Sequence, residues 1–386
     1  MTEATAPLSG LRIIELAGIG PGPFAGMMLA DMGADVVCLD RFRSNRSGHG
    51  ILFRSRRSLA IDLKAPGAAQ VVLRLCVNAD GVIETFRPGV AERLGIGPGD
   101  CLGVNPALVY GRMTGWGQEG PMASEPGHDI NYIALTGALH AIGRAGGPPV
   151  APLNLVGDFG GGGMLLAFGM LAGILAARRT GNGSVVDAAM IDGASALMAM
   201  FYGFHSEGRH RLERGTNTLD TGAPFYDVYR TRDAQWVSIG AIEPKFWTGL
   251  TTALGLTEDV QRMHHDEASR PAVRAALEAR IGELTRAELD ELLIGQEACY
   301  APVLSLEEAP RHPHNVARGT FVEVDGVVQA APAPRFNGAP PTTPRTVRRP
   351  GADTVSVLGQ AGYTEHEIAK LLSSGVVAEP PAAAPR

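Results

Sequence analysis

The first forty residues constrain the fold most. Leu11 to Leu16 reads as a buried strand, Pro23 to Met32 as a helix and Asp35 to Asp40 as a second strand, which together make a βαβ unit. A helix from Ala65 to Asn78 and strands at Gly81 to Glu84 and Leu108 to Met113 continue the alternation, so a parallel α/β architecture is expected through about residue 190. Gly18-Ile19-Gly20-Pro21-Gly22 fills the first βα turn and Asp40 closes the second strand, the setting of a dinucleotide site. The Gly-x-Gly-x-x-Gly fingerprint fails there, because the third glycine is replaced by Pro23 in one register and Ala25 in the other. The fold element survives, and the phosphate cradle of an NAD site does not.

Past Thr216 the character changes. Tyr226 to Thr231 and Trp236 to Ile242 predict a hairpin across Arg232 to Gln235, followed by amphipathic helices through Pro271 to Gly295. A second hairpin, Phe321 to Gln329, turns on Asp325-Gly326, a pair suited to a tight primed turn. A proline-rich strap runs from Ala331 to Pro350, and Thr364-Glu365-His366-Glu367 has the spacing of a capping box before a last helix that stops at Gly375. The expected organisation is a large α/β domain over 1–200 completed by 330–386, a linker over 201–224 and a smaller α+β domain over 225–329.

Composition narrows the function classes. A net charge of −6 gives nothing global to draw the chain to nucleic acid. Cys38, Cys76, Cys101 and Cys299 are scattered without a Cys-x-x-Cys pair, so neither a zinc site nor a disulfide framework is expected. The N-terminus lacks a secretory pattern and the closing Ala-Pro-Arg is not a peroxisomal address, so a cytoplasmic location is expected. The apolar stretch Met164 to Ala177 falls short of the roughly 20 residues of a membrane span, and reads as a buried helix.

Two glycine-marked turns carry the chemistry. Gly127-His128-Asp129-Ile130-Asn131-Tyr132 is followed by Asn154-Leu155-Val156-Gly157-Asp158-Phe159-Gly160. Singly, a histidine of this kind can be a satisfied core residue and such an aspartate a helix N-cap. On opposite sides of one carbon, an imidazole and a carboxyl group can exchange acid and base roles. Between Arg41 and Lys64 lie Arg41, Arg43, Arg46, Arg54, Arg56, Arg57 and Lys64. That cluster is either a salt-bridged surface or a grip on a phosphorylated ligand. Met190, Met198 and Met200 are either core or an adaptable apolar surface.

Along nearly its whole length the sequence resembles the class III CoA transferase superfamily and, within it, the α-methylacyl-CoA racemases. The resemblance lies in Leu11-Arg12-Ile13-Ile14-Glu15-Leu16 with Gly20-Pro21-Gly22-Pro23, in Arg57-Ser58-Leu59-Ala60-Ile61-Asp62-Leu63-Lys64, and in Arg87-Pro88-Gly89-Val90. It continues in Thr114-Gly115-Trp116-Gly117-Gln118, the His128 and Asp158 segments, Gly222-Ala223-Pro224-Phe225-Tyr226, Gly240-Ala241-Ile242-Glu243-Pro244 and Ala301-Pro302-Val303-Leu304. The resemblance implies an interlocked homodimer and 2-methylacyl-CoA thioester substrates, with no cofactor beyond the CoA that the substrate carries. Arg41 and Ile61, Asp62, Leu63 and Lys64 would hold the nucleotide end of CoA, with Arg87 nearby. Gly127, Asp129, Ile130, Asn131 and Tyr132 would meet the thioester end. His128 and Asp158 would be the acid/base pair, Asn154 would sit beside Asp158, and Glu243 of the other chain would pair with His128. Thr221 stands where the similar racemases have glycine.

These residue types suit proton transfer at C2 of a thioester. The enolate oxygen would be stabilised by backbone amides at the glycine-rich stretch after Asp158. The rival within the same superfamily is CoA transfer, with Asp158 as nucleophile. Ile239-Gly240-Ala241-Ile242-Glu243 lacks the run of glycines that transferases have there, which favours the racemase. A third reading is an acyl-CoA binding protein that keeps the fold without catalysis.

Overall fold

The computed structural model describes residues 6–42, 50–338 and 342–380. The chain forms two compact units, one from Met1–Thr136, Leu153–Met198 and Ala317–Arg386, the other from Gly137–Pro152 and Ala199–Val316.

The first unit is built on a seven-stranded sheet. Its parallel strands are β1 (Arg12–Leu16), β2 (Asp35–Asp40), β3 (Arg57–Ile61), β4 (Gly81–Glu84), β5 (Val109–Thr114) and β6 (Ser184–Ala189), in the order β3-β2-β1-β4-β5-β6. The strand Val377–Ala378 adds antiparallel beside β3. Successive side chains of β1 point to opposite faces, and both faces are covered. Ile14 and Leu16 join Leu39, Leu59, Val71 and Leu75 in one core, while Ile13 joins Leu29, Val36, Val109 and Met170 in the other. That double burial explains why β1 and β2 read as continuous apolar runs.

β3 and β6 escaped the sequence reading. β3 lies inside the basic cluster, and the structure resolves three of that cluster's cations as ion paired. Arg54 is paired with Asp31, Arg56 with Glu15 and Arg57 with Asp35. Arg54 and Arg56 are buried, and Arg57 opens β3, at the end of the sheet remote from Arg41. These three therefore serve packing and do not form a phosphate grip; Arg43 and Arg46 lie outside the described residues.

The apolar helix is longer than its sequence suggested. A π-helical stretch, Leu155–Met164, runs directly into the α-helix Leu165–Thr180. The combined 26 residues are long and apolar enough to cross a membrane by length and composition. Its inner stripe of Leu166, Met170 and Ile174 is buried in the second core. The glycines of the π stretch are also packing devices: a side chain on Gly161 would meet the backbone of Gly193 and Ala194, and one on Gly163 would meet Phe24 and the Pro21 carbonyl. These contacts pack the stretch against the helices Met190–Leu197 and Pro21–Asp31.

The second unit packs helices Pro244–Ala253, Arg270–Gly282 and Arg286–Leu293 on an antiparallel sheet of Tyr226–Arg230, Trp236–Gly240 and Tyr300–Pro302. Trp247, Tyr229, Val237, Leu277 and Ile281 form its core. Buried Asp227 is held by Arg144 and Arg274.

The unit boundaries differ from the sequence reading. The hairpin Phe321–Val324 and Val327–Ala330, with Asp325 and Gly326 both at positive φ, belongs to the first unit. Arg54 ties it there, donating to Gln329 Oε1 at 2.8 Å and the Ala330 carbonyl at 2.7 Å. The segment read as a linker over 201–224 is bound into the second unit, with Arg214 donating to the His140 and Gly147 carbonyls.

Two substitutions test this packing. A Cβ on Gly193 would stand 1.8 Å from the Gly161 carbonyl oxygen, so Gly193→Ala is expected to cost about 3 kcal/mol in chemical denaturation. Thr221 sits at φ 76°, with its carbonyl held by Arg274 at 2.8 Å. A β-branched residue is strained there by about 1–2 kcal/mol, so Thr221→Gly is expected to raise the midpoint of thermal unfolding; a lowered midpoint would refute the strain.

Candidate active site

Strand order reverses at β1, whose neighbours β2 and β4 continue the sheet in opposite directions. Loops leaving such a switch point splay apart and open a crevice beyond the carboxyl ends of the strands. A cleft of about 750 Å³ lies there. It is walled by Ala17 to Pro21 after β1, Arg41 after β2, Thr85 to Pro88 after β4, and Gly115 and Trp116 after β5. His128, Tyr132, Asn154, Asp158 and Met190 complete it.

His128 is the N-cap of the short helix Asp129–Ala134. Its backbone N–H donates to Asn131 Oδ1 at 3.1 Å, so Asn131 pins the turn that presents the imidazole. Tyr132 lines the cleft, donates its hydroxyl to the Gly127 carbonyl and stands edge-on to Trp116 at 4.8 Å. A side chain at Gly127 would collide with both rings, which explains the glycine. Burial and the nearby Asp158 charge push the Tyr132 phenol up.

Asp158 sits in the π-helical stretch, a rare geometry found mostly at functional sites. Its Oδ2 accepts from Asn154 Nδ2 at 3.0 Å, and its backbone N–H donates to Asp129 Oδ2 at 2.7 Å. Leu153, just before Asn154, is at φ 57°, a strained non-glycine turn. Burial raises the Asp158 carboxyl, the Asn154 bond opposes this, the Asp129 charge adds to it and the His128 charge counters it.

The structure thus brings His128, Asp158, Asn154, Tyr132, Gly127, Arg41 and Arg87 to one cleft. Ile61 to Lys64 lie at the neighbouring strand end, since β3 pairs with β2 through Ala60 and Asp40. Ile61 is buried, Leu63 packs on the same core and Asp62 Oδ1 accepts the Lys64 backbone N–H, leaving the Lys64 side chain exposed. Asp129 is buried and does not line the cleft, and Ile130 is exposed outside it. Glu243 belongs to the other unit, as N-cap of the helix Pro244–Ala253.

Sequence reasoning passed over Glu84. Its carboxylate accepts the Phe86 N–H at 2.6 Å and the Arg112 guanidinium at 2.9 Å, bracing the Thr85 to Pro88 wall from below. Burial pushes this carboxyl up to about 7. An acid in the otherwise apolar strand β4 was the available signal.

The model of CoA-transferase family III matches residues 8–354. The chain is 41% identical to an alpha-methylacyl-CoA racemase of Mus musculus over 373 residues, covering 96% of this chain and 97% of that protein. It is 40% identical to the Homo sapiens alpha-methylacyl-CoA racemase, again covering 96% and 97%. A CAIB/BAIF family protein from Brucella suis superposes with a TM-score of 0.80, covering 92% of this chain and 100% of that one, and at 23% identity it shows a shared fold. The chain belongs to CoA-transferase family III.

Proposed function

We propose that this protein is a 2-methylacyl-CoA racemase that interconverts 2R and 2S epimers by two-base proton transfer at C2, in the breakdown of branched fatty or sterol side chains. The observation that carries the reading is the convergence of His128 and Asp158, thirty residues apart in sequence, on the cleft at the strand switch point. One group takes the C2 proton, the electron pair spreads into the thioester carbonyl, and the other group returns a proton to the opposite face. A half-buried carboxyl held above the ordinary aspartate value suits a group that must both accept and give a proton. The CoA carried by the substrate is the only cofactor-like group required. Arg41 and Arg87 from the cleft wall, with Lys64 from the neighbouring strand end, hold its phosphates, and Met113 and Met190 offer the acyl chain an adaptable apolar wall.

The working form is a homodimer in the cytoplasm. The outer face of the helix Leu165–Thr180 leaves Phe168 70% and Leu175 62% exposed, an apolar strip suited to burial against a second copy. In that dimer Glu243 of one protomer orients His128 of its partner. The lack of a glycine run at Ile239 to Glu243 supports racemisation over CoA transfer through an Asp158 anhydride.

The test is proton NMR of a pure (2R)-2-methylacyl-CoA incubated with the protein in deuterated water, without an acceptor acid. Loss of the C2 proton with growth of the 2S epimer is expected. His128→Ala and Asp158→Ala should each lower turnover by about 10³-fold with CoA affinity retained. CoA transfer to free acids without C2 exchange would move the assignment to a transferase. Arg41→Ala and Lys64→Ala should instead raise the Kd for CoA by about tenfold in titration calorimetry with kcat nearly unchanged, and unchanged affinity in both would remove the phosphate assignment.

A further inference from the structure

The carboxylate of Asp129 joins the two halves of the site from behind. Asp129 is the first residue of the helix that His128 opens, and it is 6% exposed. Its Oδ2 accepts the Asp158 backbone N–H at 2.7 Å and lies against Gly157, where a Cβ would come within 2.5 Å of it. Its Oδ1 is buried without a hydrogen-bond partner among the described residues. A buried carboxylate with one oxygen idle costs more to desolvate than a neutral amide of the same shape, which could also accept the Asp158 N–H, though less strongly. Hydrogen bonding alone therefore does not account for an acid here; a charge close to Asp158 does.

We propose that Asp129 is a positioning residue: its carboxylate clamps the Asp158 main chain to the His128 helix, fixing the span between the two acid/base groups and setting a negative charge behind Asp158. The kinetic part of this proposal rests on the two-base reading, and the geometric part does not. The groups that face Asp158 are the Asn154 amide from its own turn, and His128, Asp129 and Tyr132 from the helix Asp129–Ala134 and its cap; Arg87 acts from the β4 loop through Tyr132. Among them Asp129 is the one that disfavours a second negative charge at Asp158, whereas Asn154 and His128 favour it. Removing the Asp129 charge while keeping the clamp should let Asp158 ionise at lower pH.

The experiment is a carbon-13 NMR titration of the Asp158 carboxyl in aspartate-labelled full-length protein, assigned with Asp158→Asn, for the wild type and Asp129→Asn. A downward displacement of the Asp158 titration by about half a pH unit or more in Asp129→Asn is expected. In the C2 exchange assay the acid limb of kcat/KM should move down with it, while KM stays within about twofold. Asp129→Ala, which loses the clamp as well, should lower kcat by about 10²-fold. An unmoved Asp158 titration in folded Asp129→Asn overturns the proposal. If Asp129→Ala fails to fold, Asp129→Asn decides alone. If the wild type exchanges no C2 proton, the racemase reading falls, and the titration still decides the role of Asp129.

Discussion

The Gly161 carbonyl lies where any side chain on Gly193 would have to go. This contact between two helical backbones sets the position of everything around Asp158. It draws the π-helical stretch Leu155–Met164 onto the helix Met190–Leu197, while Gly163 seats the same stretch on Pro21 and Phe24 at the start of the first helix. Asp158 is thereby held over the carboxyl ends of the parallel strands, and Gly20, at φ 70°, brings the β1 loop against its carboxylate. Glycines recur at these points because a Cβ would push the acid out of the cleft, not because the segment needs flexibility.

Much of the charge in the first unit is committed away from the cleft. Arg54 and Arg56 are paired with Asp31 and Glu15 in the interior, Arg57 with the partly exposed Asp35, and Arg112 bridges buried Glu84 and exposed Glu92 beneath the β4 loop. Buried ion pairs of this kind are weak evidence for stability, since desolvation offsets most of the attraction. Their effect is on placement: Arg54 ties its loop to the first helix, Arg56 ties the same loop to β1, Arg57 joins β3 to β2, and Arg112 joins β5 to β4 and to Glu92. Arg41 and Arg87 follow strand ends and line the cleft, where the proposed CoA phosphates would meet them.

The alternation of strands and helices was legible at β1, β2, β4 and β5 because these strands are buried on both faces and mostly apolar. β2 and β4 match the expected bounds, and the hairpin turn at Asp325-Gly326 was legible from its own dihedral demands. β3 was hidden because its arginine opens a strand whose charged partner, Asp35, is 22 positions earlier in the chain. β6 was hidden because Asp187 interrupts its apolar pattern, although that carboxylate accepts the Gln118 N–H. The unit boundaries were missed for a similar reason: the hairpin near residue 325 is assigned by Arg54 contacts that no local pattern announces.

The amino-acid sequence by itself determined the α/β class, the glycine-marked turns and the presence of His128 and Asp158, since these depend on side-chain period, φ requirements and residue type. It also carried the family resemblance, which runs through strand ends and turns. Only the tertiary structure decided which cations remain available, where the glycine run is spent and that Asp129 stands behind Asp158 instead of in the cleft. Those outcomes depend on which groups share a small volume after packing, and burial and proximity across tens of residues are properties of the folded chain.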